Sequence, residues 1–276
     1  MRIITDSTAD LDRILTDLYN IEVLPLTVTM GDRQYKDGLE IETQQIFDYV
    51  KAFGEIPVTS PVSVADFVNA FEGDEEIVYI CISSKLSACF QNATQAAEQV
   101  GRNRIHIIDS HSMTTSTGVL ALRAAEMRDL GVSAVEIEET LTALVPKIRI
   151  AVLLDTLDYV RKGGRCSAVT AIVGNILKIR PILEARPDGT IGIRERINGP
   201  RSKALMALVD GFKRDLAKID LRRMFITHTG CPQDVHWVKS ELLRASNPEE
   251  IHVNIAGAVV SSHTGPNGIA IIYQLK

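Results

Sequence analysis

The chain has few cysteines, no excess of positive charge and no pattern of metal-binding residues. Its four cysteines, Cys81, Cys89, Cys166 and Cys231, form no C-x-x-C motif and have no paired histidines at zinc-finger distance. The sequence therefore indicates neither a zinc site nor a disulfide framework, and we expect reduced thiols. A formal net charge of −5 without any basic cluster argues against nucleic acid as a partner.

Segments that direct a chain into a membrane are also lacking. Met1 is followed almost at once by the strand-like Arg2–Thr5, which leaves no room for the charged and apolar regions of a signal peptide. No stretch approaches the roughly 18 to 20 consecutive apolar residues of a transmembrane helix. We therefore expect a cytoplasmic protein with peripheral membrane contact or none.

The motifs of nucleotide-dependent enzymes are missing as well. The sequence contains neither G-x-x-x-x-G-K-[ST] nor, after a strand, G-x-G-x-x-G, and G-x-S-x-G is absent. The six histidines show no helical i, i+4 pairing with a nearby carboxylate, and we expect no metal and no cofactor. A hydrolase remains conceivable from Ser87, His263 and an aspartate, or from Cys89, whose thiol pKa a helix dipole could lower.

What the chain does contain is a buried strand that ends in serines. The apolar, mostly β-branched run Ile77–Ile82 predicts a fully buried strand, and Ala-rich sequence from Leu86 onward predicts a helix. Ser83, Ser84 and Ser87 lie at this junction. In an open α/β sheet such a junction can hold a small anionic or polar group, although serine also caps helices without any ligand.

The order of elements predicts two domains. Strands alternate with helices over the first half, which predicts an N-terminal domain, residues 1–156, with a doubly wound parallel α/β sheet. The Asp188-Gly189 turn then indicates a β-hairpin, and we predict a C-terminal α+β domain, residues 157–276, with a mixed or antiparallel sheet. Individual elements are a helix over Asp6–Tyr19, one strand over Ile21–Thr29 and another over Ile251–Val260.

Gly163, Gly164 and Arg165 form a second candidate site. Paired glycines let the backbone approach another group closely, and arginine supplies a planar cation for a carboxylate or phosphate. The alternative is a helix C-cap followed by a surface arginine. The apolar segment Ser167–Ile179, which we predict to be a helix, favours a ligand with one acidic end and an apolar body.

Six motifs in order make this sequence resemble the DegV family of fatty-acid-binding proteins. The motifs are Asp6-Ser7-Thr8-Ala9-Asp10-Leu11, Tyr35-x-Asp37-Gly38, Thr59-Ser60-Pro61, Ile82-Ser83-Ser84-x-Leu86-Ser87 with Gln91-x-Ala93, Asp155-Thr156-Leu157-x-Tyr159 with Gly163-Gly164-Arg165, and His263-x-Gly265-Pro266. There are two departures. Ala88-Cys89-Phe90 follows Ser87 where the family usually has Gly-Thr-Tyr, and Asn267 interrupts the more usual Gly-Pro-Gly.

The resemblance implies a two-domain α/β protein that encloses one long-chain fatty acid between its domains. It assigns the ligand carboxylate to Thr59 and Ser87, with Arg165 and His263 nearby. It also implies a partner, a kinase subunit with a dihydroxyacetone-kinase-like nucleotide domain, which phosphorylates the bound carboxylate. Arg201 aligns with a family arginine tied to that transfer. The protein would then be a non-catalytic carrier, and a hydrolase acting on a small ester or polar substrate is the alternative.

Overall fold

The computed structural model describes residues 1–166 and 179–276, so residues 167–178 of the predicted helix Ser167–Ile179 lie outside the described residues. The strands are β1 (Arg2–Asp6), β2 (Ile21–Leu24), β3 (Thr27–Met30), β4 (Arg33–Lys36), β5 (Val58–Ser60), β6 (Ile77–Cys81), β7 (Ile105–Asp109), β8 (Ile148–Leu153), β9 (Ile179–Ala185), β10 (Ile191–Asn198), β11 (Ile219–His228), β12 (Glu250–Ile255) and β13 (Ile269–Leu275). The helices are α1 (Arg13–Leu18), α2 (Thr43–Phe53), α3 (Val64–Ala70), α4 (Cys89–Val100), α5 (Thr115–Asp129), α6 (Ala134–Leu144), α7 (Asp158–Gly163), α8 (Arg201–Asp215), α9 (Pro232–Ala245) and α10 (Ala258–Thr264).

The first half contains the predicted parallel sheet, with strand order β2-β1-β6-β7. Every residue of β6 is buried, as its unbroken apolar run predicts for a central strand covered on both faces. Successive residues point to opposite sides, so Val78 packs into one hydrophobic cluster and Tyr79 into another. Because parallel strands end at one edge, the polar residues after β1, β6 and β7 lie side by side.

The second sheet is mixed, as predicted, with strand order β10-β9-β8-β13-β11-β12. β11 pairs with β12 in parallel, and the other pairs are antiparallel. The hairpin around Asp188-Gly189 is present as β9 and β10. β8 precedes residue 156 but belongs to this sheet, whereas the domain boundary itself stays a prediction. The two sheets and their helices give the two-domain α/β architecture expected from the sequence.

Two predictions in the first half are wrong in detail. Ile21–Thr29 is not one strand: β2 belongs to the parallel sheet and β3 to a separate antiparallel sheet with order β4-β3-β5. Pro25 lies between them and has no N–H for a strand ladder. The helix expected over Asp6–Tyr19 is a 3-10 turn at Ser7–Ala9, followed by α1. Asp10, in the left-handed region at φ 49°, separates the two.

Two boundaries near the candidate site also differ from prediction. The strand expected over Ile251–Val260 ends at Ile255, and α10 begins at Ala258 after Gly257. His263 is therefore on a helix instead of following a strand. The helix expected from Leu86 begins only at Cys89, because the N–H groups of Leu86 and Ser87 both bond to the carbonyl of Ser83 in a turn.

None of the helices in the described part of the chain is long and apolar enough to cross a membrane.

Candidate functional site

A cavity of about 410 Å³ opens between the ends of the parallel sheet and the mixed sheet. Its volume falls in the range of small-molecule sites. The wall is largely apolar, with side chains from both halves of the chain: Leu26, Ile82, Leu86, Met113, Val152, Leu154, Val160, Leu183, Ile191, Val259, Val260 and Ile269. All four residues that the resemblance assigns to a carboxylate, Thr59, Ser87, Arg165 and His263, line the same cavity.

Thr59 and His263 form the centre of the polar part of this wall. Thr59 is on β5 and His263 on α10, and their side chains share a hydrogen bond of 2.8 Å between Oγ1 and Nε2. Burial, assisted by the positive charge of Arg165, lowers the pKa of His263 to about 4. The imidazole is therefore neutral near pH 7, and the field of the Arg165 guanidinium reaches it.

The glycine pair shows both of the backbone features considered from the sequence, a close approach and a helix C-cap. Gly164 has a φ of +69° and ends α7, as expected of a C-cap. Gly163 lies against the His263 ring, where a Cβ would collide with Nδ1. Arg165 follows, largely exposed, and donates from Nη1 to the carbonyl oxygen of Gly163 at 2.8 Å. Gly163 thus allows the backbone to approach His263 closely, and the adjacent Gly164 ends the helix.

Among the described residues, neither Ser87 nor Cys89 is hydrogen-bonded to a base that could activate it as a nucleophile. Ser87 Oγ donates to Cys89 Sγ at 3.3 Å, and the only described hydrogen bond of the His263 ring joins it to Thr59. The prediction that the α4 dipole could lower the pKa of Cys89 is wrong, because burial raises it to about 12. Neither an activated serine nor a thiolate is present among these groups.

The other two serines of the junction have separate environments. Ser83 is fully buried, and its Oγ donates to the carbonyl oxygen of Gly189 at 2.7 Å, which fixes the turn of the β9–β10 hairpin against the β6 loop. The Ser84 N–H donates to the carboxylate of Asp109 at 3.2 Å. Ser83 therefore holds the two halves together, while Ser84 and Ser87 line the cavity.

Arg201 lies outside the cavity wall, at the start of α8. Its guanidinium pairs with Asp234 at 2.7 Å and with Asp155 at 3.3 Å, and it donates to the carbonyl oxygen of Asn267 at 2.5 Å. These contacts connect α8, α9 and the loops after β8 and α10. The structure thus separates Arg201 from the other four candidate residues.

Sequence reasoning missed two buried carboxylates that hold α10. Asp10 Oδ1 accepts from the N–H of Gly257 at 2.8 Å, and Asp37 Oδ1 accepts from the N–H of Ala258 at 2.8 Å. Burial raises the pKa of both carboxyls. Both aspartates belong to the first two family motifs, but only the folded chain shows that they reach the helix of His263.

Sequence reasoning did not select His228 as a site residue either. The structure places it at the end of β11, buried and in the cavity wall. Across residues 1–166 and 179–276, no cluster of three or more histidine, cysteine, aspartate or glutamate side chains could hold a metal ion.

The low pKa of His263 predicts how the free energy of unfolding of the ligand-free protein depends on pH. The unfolded chain takes up a proton near pH 6.5 and the folded chain only near pH 4, so the free energy of unfolding should fall as the pH drops between these values. In His263→Gln this fall should be shallower. Urea unfolding of both proteins at about pH 7 and about pH 4.5 measures the difference, and identical pH dependence would contradict the assignment.

Comparison with known proteins places the chain in one family. The family model described as "Uncharacterised protein, DegV family" matches residues 1–276. A DegV domain-containing protein of Caldanaerobacter subterraneus is 31% identical over 278 residues, which cover 99% of this chain and 98% of that protein.

Solved structures show the same fold. One is a DegV family protein from Thermus thermophilus that is described as fatty-acid binding. It is 30% identical in sequence to this chain and superposes with a TM-score of 0.92, with 100% of both chains covered. The fatty acid kinase (Fak) B3 protein of Streptococcus pneumoniae, loaded with linoleic acid, has a TM-score of 0.86 over 100% of this chain and 99% of that one; its 24% identity supports the fold. The chain therefore belongs to the DegV family.

Proposed function

We propose that this protein binds one long-chain fatty acid in the cavity and presents its carboxylate to a separate kinase subunit. The observation that carries the proposal is the placement of Thr59, Ser87, His263 and Arg165 together in one largely apolar cavity. The related protein from Thermus thermophilus is described as fatty-acid binding, which supports the same ligand class here.

The apolar wall supplies most of the affinity in this proposal. Burial contributes roughly 0.8 kcal/mol per CH₂, so an acyl chain of about 14 methylenes gains on the order of 11 kcal/mol before association and ordering costs. A ligand without such a tail would leave the leucine, valine and isoleucine side chains of the wall facing water. The cavity is therefore suited to an amphiphile and poorly suited to a small polar substrate.

The polar group then decides which end of the ligand lies where. A buried carboxylate needs hydrogen-bond donors or a nearby cation, since an unpaired buried charge is costly. Ser87 would turn its hydroxyl hydrogen from Cys89 Sγ to the ligand, and Thr59 would donate to the carboxylate while accepting from the Nε2–H of His263. Arg165 adds positive charge, which contributes after burial to the lowered pKa of His263. These groups fix the position of the carboxylate without themselves carrying out a reaction, which fits a non-catalytic carrier.

The kinase partner is the second part of the proposal. The family resemblance implies a kinase subunit with a dihydroxyacetone-kinase-like nucleotide domain, and the similar Streptococcus pneumoniae protein is a fatty acid kinase component. Arg165 is exposed at the cavity, so the carboxylate end faces the side from which another protein could reach it. Arg201, held by Asp155 and Asp234, is our candidate for a contribution to phosphoryl transfer.

Mass spectrometry of an organic-solvent extract of the purified protein tests the ligand class. We expect about one long-chain fatty acid per chain. Ser87→Ala should then weaken binding of the fatty acid by about tenfold, because a hydrogen bond to a charged group is lost, with little effect on its methyl ester. Ser84→Ala is the matched control from the same wall and should bind both ligands normally.

Two outcomes would contradict the proposal. If Ser87→Ala and Ser84→Ala bind the fatty acid equally well, the assignment of Ser87 is wrong. If no lipid is extracted, none binds on addition, and the protein hydrolyses esters, the hydrolase alternative takes the place of the carrier.

A further inference from the structure

The cavity contains a second polar site, at His228, that the carboxylate site does not use. His228 is the last residue of β11, is 7% exposed and lines the cavity. Its Nδ1 accepts hydrogen bonds from the N–H groups of Gly230 and Cys231, each at 3.2 Å. Because two donors point at Nδ1, the proton of the neutral ring is on Nε2.

The Nε2–H of His228 has no partner within the described part of the chain. Burial lowers the pKa of this histidine, so the ring is neutral at physiological pH. The neighbouring hydroxyls are already engaged, since Thr227 Oγ1 bonds to Thr115 Oγ1 at 2.6 Å and Thr229 Oγ1 donates to Gly265 at 2.6 Å. Nδ1 faces the backbone turn, so the free donor points to the opposite side of the ring.

Helix α10 separates this donor from the carboxylate site along the cavity. The N–H of Ala256, just before α10, bonds to the carbonyl of His228 at 2.9 Å, whereas His263 is near the other end of the helix. The helix rises about 1.5 Å per residue, so Ala258 and His263 are roughly 7.5 Å apart along its axis. Residues on one face of this segment line the cavity throughout: Ala256, Val259, Val260, His263 and Thr264.

A fatty acid whose carboxylate is near His263 and Arg165 would therefore pass His228 with the interior of its chain. An unmodified methylene there would leave a buried N–H without an acceptor, which carries a cost in binding. A neutral oxygen on the chain would accept that hydrogen bond. The single uncharged donor matches a hydroxyl or carbonyl oxygen better than a second carboxylate, because the described contacts of His228 include no cationic side chain.

We propose that His228 is a specificity-determining residue that selects long-chain fatty acids bearing a hydroxyl or oxo group in the chain interior. This inference rests on the proposed fatty-acid binding and extends it to a ligand class. One hydrogen bond to an otherwise unpaired donor corresponds to a preference of about three- to tenfold. The preference should peak at one position of the oxygen along the chain, because the distance between the two sites is fixed by α10.

Competition binding with stearate and a positional series of monohydroxystearates tests the inference. Wild-type protein should prefer one or two adjacent isomers over stearate, and His228→Leu should lose that preference. Thr264→Val, which removes a cavity hydroxyl at the other end of α10, should keep it. The positional series on wild-type protein decides the matter even if His228→Leu does not fold.

The outcomes separate this inference from the proposed function. If stearate binds but no hydroxystearate isomer is preferred, or if the preference survives in His228→Leu, His228 is not a specificity residue and the fatty-acid carrier stands. If neither stearate nor any isomer binds, the proposed function fails and this inference fails with it.

Discussion

Replacing Asp37 with alanine is expected to lower the free energy of unfolding by about 2 to 4 kcal/mol and to weaken fatty-acid binding. Asp37 is 2% exposed, and its carboxylate accepts from the Ala258 N–H and from Ser7 Oγ at 2.7 Å. Alanine would leave the Ala258 N–H at the start of α10 and the Ser7 hydroxyl in the turn after β1 buried without this acceptor. Repulsion from Asp6 and Asp10 also disappears, which reduces the net loss but does not cancel two unsatisfied donors.

Asp37→Asn is the matched variant, because the amide oxygen can still accept from Ala258 while the negative charge is lost. We expect it to lose about half as much stability as Asp37→Ala and to bind the ligand nearly normally. Urea unfolding and a fluorescent fatty-acid displacement assay measure the two effects. If Asp37→Ala unfolds and binds like wild type, Asp37 does not position the helix that carries His263.

Replacing Gly163 with alanine is expected to weaken fatty-acid binding strongly. Alanine favours helices over glycine by about 1 kcal/mol, so on propensity alone the change at the end of α7 should stabilise the protein. The added Cβ would instead collide with Nδ1 of His263, whose ring is held by Thr59. Overpacking of this kind costs about 1 to 3 kcal/mol, so we expect about tenfold weaker fatty-acid binding.

The adjacent glycine gives the control for this experiment. A Cβ at Gly164 meets nothing within 4 Å, but the residue has a φ of +69°. Gly164→Ala should therefore cost about 1 to 2 kcal/mol of stability through backbone strain alone and leave binding unchanged. If Gly163→Ala is more stable than wild type and binds normally, the close contact with His263 has no functional importance.

Local patterns in the sequence were enough to predict the parallel and mixed sheets. The apolar run of β6 and the Asp188-Gly189 turn can each be recognised from consecutive residues, and the buried strand and the β-hairpin that they predict were confirmed. Strand and helix boundaries were predicted wrongly where one residue changes the chain direction, as Pro25 does between β2 and β3. Propensity also did not reveal that α10 replaces the end of a predicted strand.

The candidate site was predictable only in part, because its contacts join distant parts of the chain. The motifs placed Ser87 and His263 as candidates, and the structure puts both in one cavity. The contact between Asp10 and Gly257 joins residues separated by 247 positions, and no spacing rule could indicate it. His228 ends a strand, as many structural histidines do, and only the hydrogen bonds to its Nδ1 show that its other nitrogen is free to donate.

The central position of β13 has a consequence for how the protein is made. This strand lies between β8 and β11, and it contributes Ile269 and Ala270 to the cavity wall. During synthesis, β8 and β11 leave the ribosome long before the strand that joins them. The mixed sheet, and with it a closed cavity, can therefore form only after residues 269–275 have been translated, so we expect that a nascent chain cannot bind the proposed fatty acid before that point.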